Sequence, residues 1–71
     1  MSEDGRTELS GMIGRISVPV PSEGPGEIIL AVRGGHEAFT AYTQTGETLE
    51  KNARAVVMEQ TGARTVLVTA C

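Results

Sequence analysis

The residues with the chemistry for nucleophilic catalysis are one histidine and one cysteine. His36 is the only histidine and Cys71 the only cysteine among the 71 residues. Catalysis of this kind needs a nucleophile, a base and an orienting group held together. We expect Cys71, the last residue of the sequence, to fray, and a frayed thiol cannot be held against an imidazole. We therefore interpret His36 as a solvent-exposed side chain and Cys71 as an incidental thiol, and predict that the protein is not an enzyme.

Metal and phosphate sites are not supported by the composition either. Structural zinc sites use four Cys or His ligands, and this sequence has two such residues. Its acidic residues are scattered, apart from Glu3 and Asp4, without the spacing of a calcium loop. The glycines at 24, 26, 34 and 35 precede extended segments, whereas phosphate-binding glycines precede a helix. We predict no metal and no cofactor.

The positive charges are too few for strong nucleic-acid binding. Six Lys and Arg stand against nine Asp and Glu, giving a net charge of −3, and affinity for nucleic acid follows the number of phosphates neutralised. Residues 1–10 carry Glu3, Asp4 and Glu8, so the rest of the chain is close to neutral. Weak single-strand binding is still open, with Arg33, Tyr42 and Arg64 as contacts and Arg15 beside them. Each stacked base contributes about 1–3 kcal/mol.

Five short apolar runs separated by turn residues must position these side chains. The runs span residues 12–20, 27–33, 36–43, 53–59 and 64–70. No window repeats apolar residues with the spacing of a helix, and the alternation is that of strands. We predict an all-β fold.

The alternation also assigns side chains to faces. One face of the first strand is expected to hold Gly14, Ile16, Val18 and Val20. In the second strand Ile28, Leu30 and Val32 share one face, but apolar residues on the other face as well suggest that both faces are partly covered. In the fifth strand Val66 and Val68 share one face. Gly34-Gly35 is typical of a two-residue hairpin turn. In the third strand Phe39 and Tyr42 point in opposite directions, and we assign Phe39 to the core.

A small five-stranded barrel resembling the OB-fold fits this pattern, because it encloses one aliphatic core and leaves little exposed edge. An SH3-like barrel is the alternative. We expect residues 1–10 to form a disordered acidic lead-in and residues 11–71 to form the barrel domain. Neither a membrane-spanning run nor a signal peptide is present, which predicts a cytoplasmic protein without direct membrane insertion.

The strands carry more apolar residues than one small barrel can enclose. The surplus residues on the opposite faces are Ile13, Ile29, Ala31, Val56 or Val57, Met58 and Leu67. Some of them should form an exposed patch; the alternative is that they cover the ends of the barrel or the loop at Leu49. Exposed apolar patches often mark protein contacts.

The order of several short motifs resembles the C-terminal domain of NfeD-like proteins. The motifs are Gly11-x-x-Gly14, Pro25-Gly26-Glu27, Val32-x-Gly34, Glu37-Ala38-Phe39-x-Ala41, Leu49-x-Lys51-Asn52, Val56-Val57, and Gly62 before Val66-x-Val68. The resemblance covers residues 11–70 and implies a five-stranded OB-fold. It also implies association with stomatin-like or flotillin-like membrane scaffold proteins.

The sequence differs from that family's usual pattern in three respects. It has no membrane helices and no Ser/Lys protease domain, and Asn52 stands where the family usually has glycine. Asparagine tolerates the left-handed backbone best after glycine, so we expect the turn at Asn52 to be kept.

Together these observations predict a non-catalytic protein–protein interaction module. Its expected partner is a protein, with a stomatin-like or flotillin-like scaffold implied by the resemblance, and its oligomeric state is open. The candidate interaction surface comprises Arg15, Ile29, Arg33, Tyr42, Arg64 and Leu67. The alternative function is weak binding of single-stranded nucleic acid.

Overall fold

Five β-strands make up the regular structure of the protein. The computed structural model describes residues 9–32, 34–44 and 46–71. The strands are β1 (Ile13–Val18), β2 (Gly26–Val32), β3 (Gly35–Thr43), β4 (Arg54–Gly62) and β5 (Thr65–Ala70). The predicted all-β class is confirmed. Within the described residues, no helix has the length and apolar character needed to cross a bilayer.

The strands close into a barrel in the order β1-β2-β3-β5-β4. All neighbours are antiparallel except β3 and β5, which run parallel from the Thr40–Thr65 pair to the Thr43–Val68 pair. Because β3 and β4 are consecutive in sequence but not adjacent, the segment between them crosses one end of the barrel. A five-stranded barrel with this Greek-key connection is OB-like, as predicted.

The core consists of aliphatic side chains and one aromatic ring. Its buried members are Leu9, Ile16, Val20, Ile28, Leu30, Phe39, Ala41, Leu49, Ala55, Val57, Val66 and Val68. Phe39 is 6% exposed and Tyr42 is 40% exposed, so the predicted division between these two rings is confirmed. Leu49 reaches the core from the β3–β4 segment, where it forms an isolated bridge with Val20.

The predicted face of β1 is wrong at Val18, which is 47% exposed although Ile16 is fully buried. Ile16 pairs with Ile28 and Val18 pairs with Glu27, so two residues of β1 advance against one of β2. Such a bulge interrupts the two-residue alternation and turns the following side chain outward. The Ser17 hydroxyl donates a 2.7 Å hydrogen bond to the Glu27 carboxylate at this point.

The hairpin between β2 and β3 lies one residue earlier than predicted. Val32 pairs with Gly35, so Gly35 belongs to β3 and the link comprises residues 33 and 34. Gly34 has φ +78°, the left-handed conformation that a tight hairpin requires.

The folded domain already includes Leu9, which is buried among the core residues. The first core side chain therefore precedes β1, and the division into a lead-in over residues 1–10 and a barrel domain over residues 11–71 stays a prediction. Residues 1–8, the remainder of the predicted lead-in, lie outside the described residues.

Asn52 has φ +75°, which confirms the predicted left-handed turn. The turn is closed by a 3.0 Å hydrogen bond from the Ala53 amide to the Glu50 carbonyl. A positive φ at the third residue of such a turn suits glycine or asparagine. The Asn52 amide also donates to the Ile16 carbonyl at 2.7 Å, which ties the turn to β1.

Candidate interaction surface

Two of the predicted surface residues, Arg15 and Ile29, lie side by side on the outside of the barrel. They are partners in the β1–β2 register. Together they line an open cavity of about 600 Å³, whose other lining residues are Ile13, Gly14, Ala31, His36 and Arg54. We call this cavity the β1–β2 groove.

The cationic side of the groove is built by the register of β1 and β4, in which Arg15 pairs with Arg54. Directly opposed residues in an antiparallel pair project to the same face. Both arginines are exposed, and neither forms an ion pair within the described part of the chain. His36, the partner of Ala31 in the β2–β3 register, adds an exposed imidazole.

The apolar side of the groove is formed by aliphatic side chains that the core leaves outside. Ile13 is 54% exposed, Ile29 is half-buried and Ala31 is exposed. Ile13 pairs with the half-buried Val56 of β4, which extends the apolar surface across the strand pair. The predicted exposure of surplus apolar residues is thus confirmed at Ile13.

The described lining residues carry guanidinium, imidazole and aliphatic groups but no carboxylate, hydroxyl or thiol. Such a surface can bind an anionic group while covering an apolar one. Within the described residues no group of three or more His, Cys, Asp or Glu is placed to hold a metal ion.

Tyr42 and Leu67 lie elsewhere on the barrel, as partners in the parallel β3–β5 pair. Tyr42 is exposed and Leu67 is half-buried. Neither lines the β1–β2 groove. They therefore form a second apolar surface, separate from the β1–β2 groove.

Arg64 occupies a third position, where it supports the core. Its guanidinium lies 5.2 Å from the centroid of the Phe39 ring. Its Nη2 donates to the Ala38 carbonyl at 3.1 Å, and its Nη1 contacts the Glu37 carboxylate at 3.4 Å. Arg64 thus has partners within the domain, although its side chain is 61% exposed, whereas Arg15 has no ion pair among the described residues. The remaining predicted residue, Arg33, lies outside the described residues.

Arg54 and His36 line this groove although their places in the sequence do not indicate it. Only the long-range pairing with β1 brings Arg54 opposite Arg15. His36 and Cys71, the two residue types suited to nucleophilic catalysis, are not brought together in the groove, since Cys71 is not among its lining residues. The Cys71 amide instead donates to the Arg54 carbonyl at 3.2 Å.

Residues 13–69 match the model of the NfeD C-terminal domain family. The chain belongs to the NfeD C-terminal domain family. The matched segment contains all five strands except the last residue of β5, and so includes the whole β1–β2 groove. No curated protein sequence matches this NfeD C-terminal domain.

Two solved structures share the fold of this NfeD C-terminal domain. One is the C-terminal domain of stomatin operon partner protein 1510-C from Pyrococcus horikoshii, 23% identical, with a TM-score of 0.74 and 97% of each chain covered. The other is the soluble domain of the NfeD protein YuaF from Bacillus subtilis. It is 22% identical, with a TM-score of 0.76, and the match covers 89% of this chain and 74% of that one.

Proposed function

We propose that this NfeD C-terminal domain is a non-catalytic module that binds a protein partner through the β1–β2 groove. The observation that carries the proposal is the groove itself. Exposed aliphatic side chains lie there beside two arginines that form no ion pair among the described residues. Protein interfaces have apolar centres and are enriched in arginine, so this composition suits a protein partner.

The closed barrel restricts how a partner can bind. Many β-proteins bind peptides by adding a strand to an exposed sheet edge. Here each of the five strands has a neighbour on both sides over at least part of its length, so only short edges remain for such pairing. We therefore expect a partner of this domain to recognise side chains on the outer face, which is where the groove lies.

The partner we propose is a stomatin-like or flotillin-like membrane scaffold protein. One structural neighbour is described as a stomatin operon partner protein, and membership of the NfeD family is consistent with the same class of partner. The proposal includes a cytoplasmic location, as expected from the sequence.

Single-strand nucleic-acid binding stays a prediction with less support. Base stacking needs exposed aromatic rings beside the cationic groups. Tyr42 lies away from the groove, and the Arg64 guanidinium is engaged by Phe39 and the Ala38 carbonyl.

Binding of a purified stomatin-like protein to the wild-type domain and to two serine variants, measured by calorimetry, tests the proposal. Ile13→Ser should weaken binding about tenfold, because Ile13 is 54% exposed and covering that half is worth about half of the roughly 1.5–3 kcal/mol of a whole isoleucine. Val18→Ser is the matched control. Val18 lies on the same strand with 47% exposure, but outside the groove. The proposal fails if the wild-type domain does not bind, or if the two variants lose affinity equally.

A further inference from the structure

Arg15 and Arg54 form a cross-strand pair of like charges, which does not contribute to the stability of the fold. Opposed like charges in an antiparallel pair are destabilising. No carboxylate of the described residues neutralises either side chain. Two acidic side chains of the neighbouring strands β2 and β3 have contacts elsewhere: Glu27 accepts from Ser17, and Glu37 contacts Arg64. The two guanidinium groups are thus available for an anion supplied from outside.

The surroundings of this pair specify what kind of anion fits. Ile13, Ile29 and Ala31 place aliphatic surface next to the two guanidinium groups. A carboxylate matches the planar donors of arginine in a bidentate arrangement. A ligand that satisfies both sides of the groove therefore combines a carboxylate with adjacent apolar side chains.

Phosphate-rich ligands fit this surface less well. Nucleic acid and anionic membranes are held by many cations, with affinity rising with each one. The groove offers two arginines on a chain whose net charge is −3. Its lining residues include one aromatic ring, His36, which offers a single base a surface to stack on.

We infer that the β1–β2 groove recognises a segment of the partner protein in which an acidic residue is flanked by aliphatic residues. Arg15 and Arg54 bind the carboxylate, and Ile13, Ile29 and Ala31 cover the neighbouring side chains. The inference rests on the proposed function and names the chemistry of its partner. It does not depend on that partner being a stomatin-like protein.

Two capped probe peptides test this inference by amide NMR titration at low salt. One carries a single glutamate flanked by leucines within a serine-rich decapeptide, and the other has glutamine in place of the glutamate. The glutamate peptide should shift the amide signals of Ile13, Arg15 and Arg54, and it should bind about three- to tenfold more tightly than the glutamine peptide.

The double variant Arg15→Gln/Arg54→Gln should lose this preference and bind both peptides with equal, weaker affinity. Lys51→Gln is the matched control, because it removes one positive charge from an exposed turn outside the groove. It should keep the preference. A dispersed spectrum of the double variant establishes that it is folded.

Four results would overturn the inference. The two peptides could bind equally well, or the double variant could keep the preference for glutamate. Single-stranded DNA or anionic vesicles could shift the groove signals at lower concentrations than the glutamate peptide. Shifts of the same signals with protein concentration alone would assign the groove to a second copy of the chain.

The same variants separate this inference from the proposed function. If the stomatin-like protein binds the wild type and the Arg15→Gln/Arg54→Gln variant equally, the carboxylate role fails while the interaction role stands. If that protein does not bind but the glutamate peptide shows the expected preference, the partner assignment fails while the chemistry of the groove stands.

Discussion

The three arginines that the structure describes in this NfeD C-terminal domain have different surroundings: Arg15 and Arg54 lie on strands, and Arg64 lies in the turn between β4 and β5. Arg64 lies over the Phe39 ring and donates to a backbone carbonyl. Arg15 of β1 and Arg54 of β4 are directly opposed on adjacent strands. The sequence alone does not distinguish these arginines, because the residue type is the same in each case. Their contacts in the structure distinguish Arg64, which packs on a core ring, from the two that are available to a partner.

Gly14 is the residue at which β1 comes too close to β2 for a side chain. A Cβ atom there would meet the Ile29 carbonyl oxygen and lie 2.6 Å from Leu30 Cδ2. We expect Gly14→Ala to lower the free energy of unfolding by at least about 2 kcal/mol, because a packed core cannot absorb the added methyl group. Urea denaturation measures this loss.

Gly35→Ala is the control for that prediction. A Cβ at Gly35 would have the Val32 carbonyl oxygen, 3.9 Å away, as its nearest contact. Its expected effect lies between zero and a gain of about 1 kcal/mol, because alanine restricts the unfolded chain. Equal losses in the two variants would show that steric contact is not the cause.

Beyond the end of the parallel β3–β5 pair, β5 donates hydrogen bonds to the Glu47 carboxylate instead of pairing with β3. The register ends at Thr43 and Val68. Beyond it, Glu47 accepts from the Ala70 amide at 3.0 Å and from the Thr69 hydroxyl at 2.9 Å. The crossing segment between β3 and β4 is thereby attached to the end of β5.

We expect Glu47→Ala to destabilise the domain by about 1 kcal/mol, since the partly exposed hydrogen bonds are replaced by water. Glu50→Ala removes a carboxylate from the same segment, but that side chain is exposed and has no hydrogen bond in the described structure. Thermal unfolding of both variants makes the comparison. If Glu50→Ala costs as much as Glu47→Ala, the loss reflects charge and not the attachment to β5.

Strand faces were predictable where the alternation is uninterrupted. Ile28 and Leu30 in β2, and Val66 and Val68 in β5, share faces as the alternation indicates and are buried, whereas Val32, assigned to the face of Ile28, is half-buried. The alternation fails at Val18 because a bulge adds one residue to β1, and nothing in the local sequence marks that insertion. The crossing to a parallel β3–β5 pair is likewise a long-range property that alternation does not encode.

The groove was predictable only in part, for the same reason. The sequence predicts Arg15 and Ile29 as members of an interaction surface, and the register places them together. Arg54 and His36 join them through pairings with β1 and β2. Which residues of distant strands become neighbours depends on register, and the surplus of apolar residues predicted an exposed patch without locating it.

For the whole molecule, the two arginines that we propose for binding in the groove also lower the stability of the fold. A domain of this size has only a few kcal/mol of stability, so an opposed pair of arginines on its surface is a measurable cost. Replacing one of them with an acid converts repulsion into a cross-strand ion pair. The same change removes the charge with which we propose the groove binds a carboxylate.

We therefore expect Arg54→Glu to stabilise the barrel by about 0.2–1 kcal/mol through attraction to Arg15. For a domain of this length, each kcal/mol corresponds to about 4–8 °C in Tm. The gain should shrink in high salt, which screens exposed charges. Lys51→Glu makes the same change in net charge outside the groove and should produce no such gain.

The stabilised Arg54→Glu variant should also lose the preference for the glutamate peptide. The stability measured by calorimetry should therefore rise while the preference measured by peptide titration falls. A variant that gained stability while keeping that preference would show that Arg54 does not bind the carboxylate.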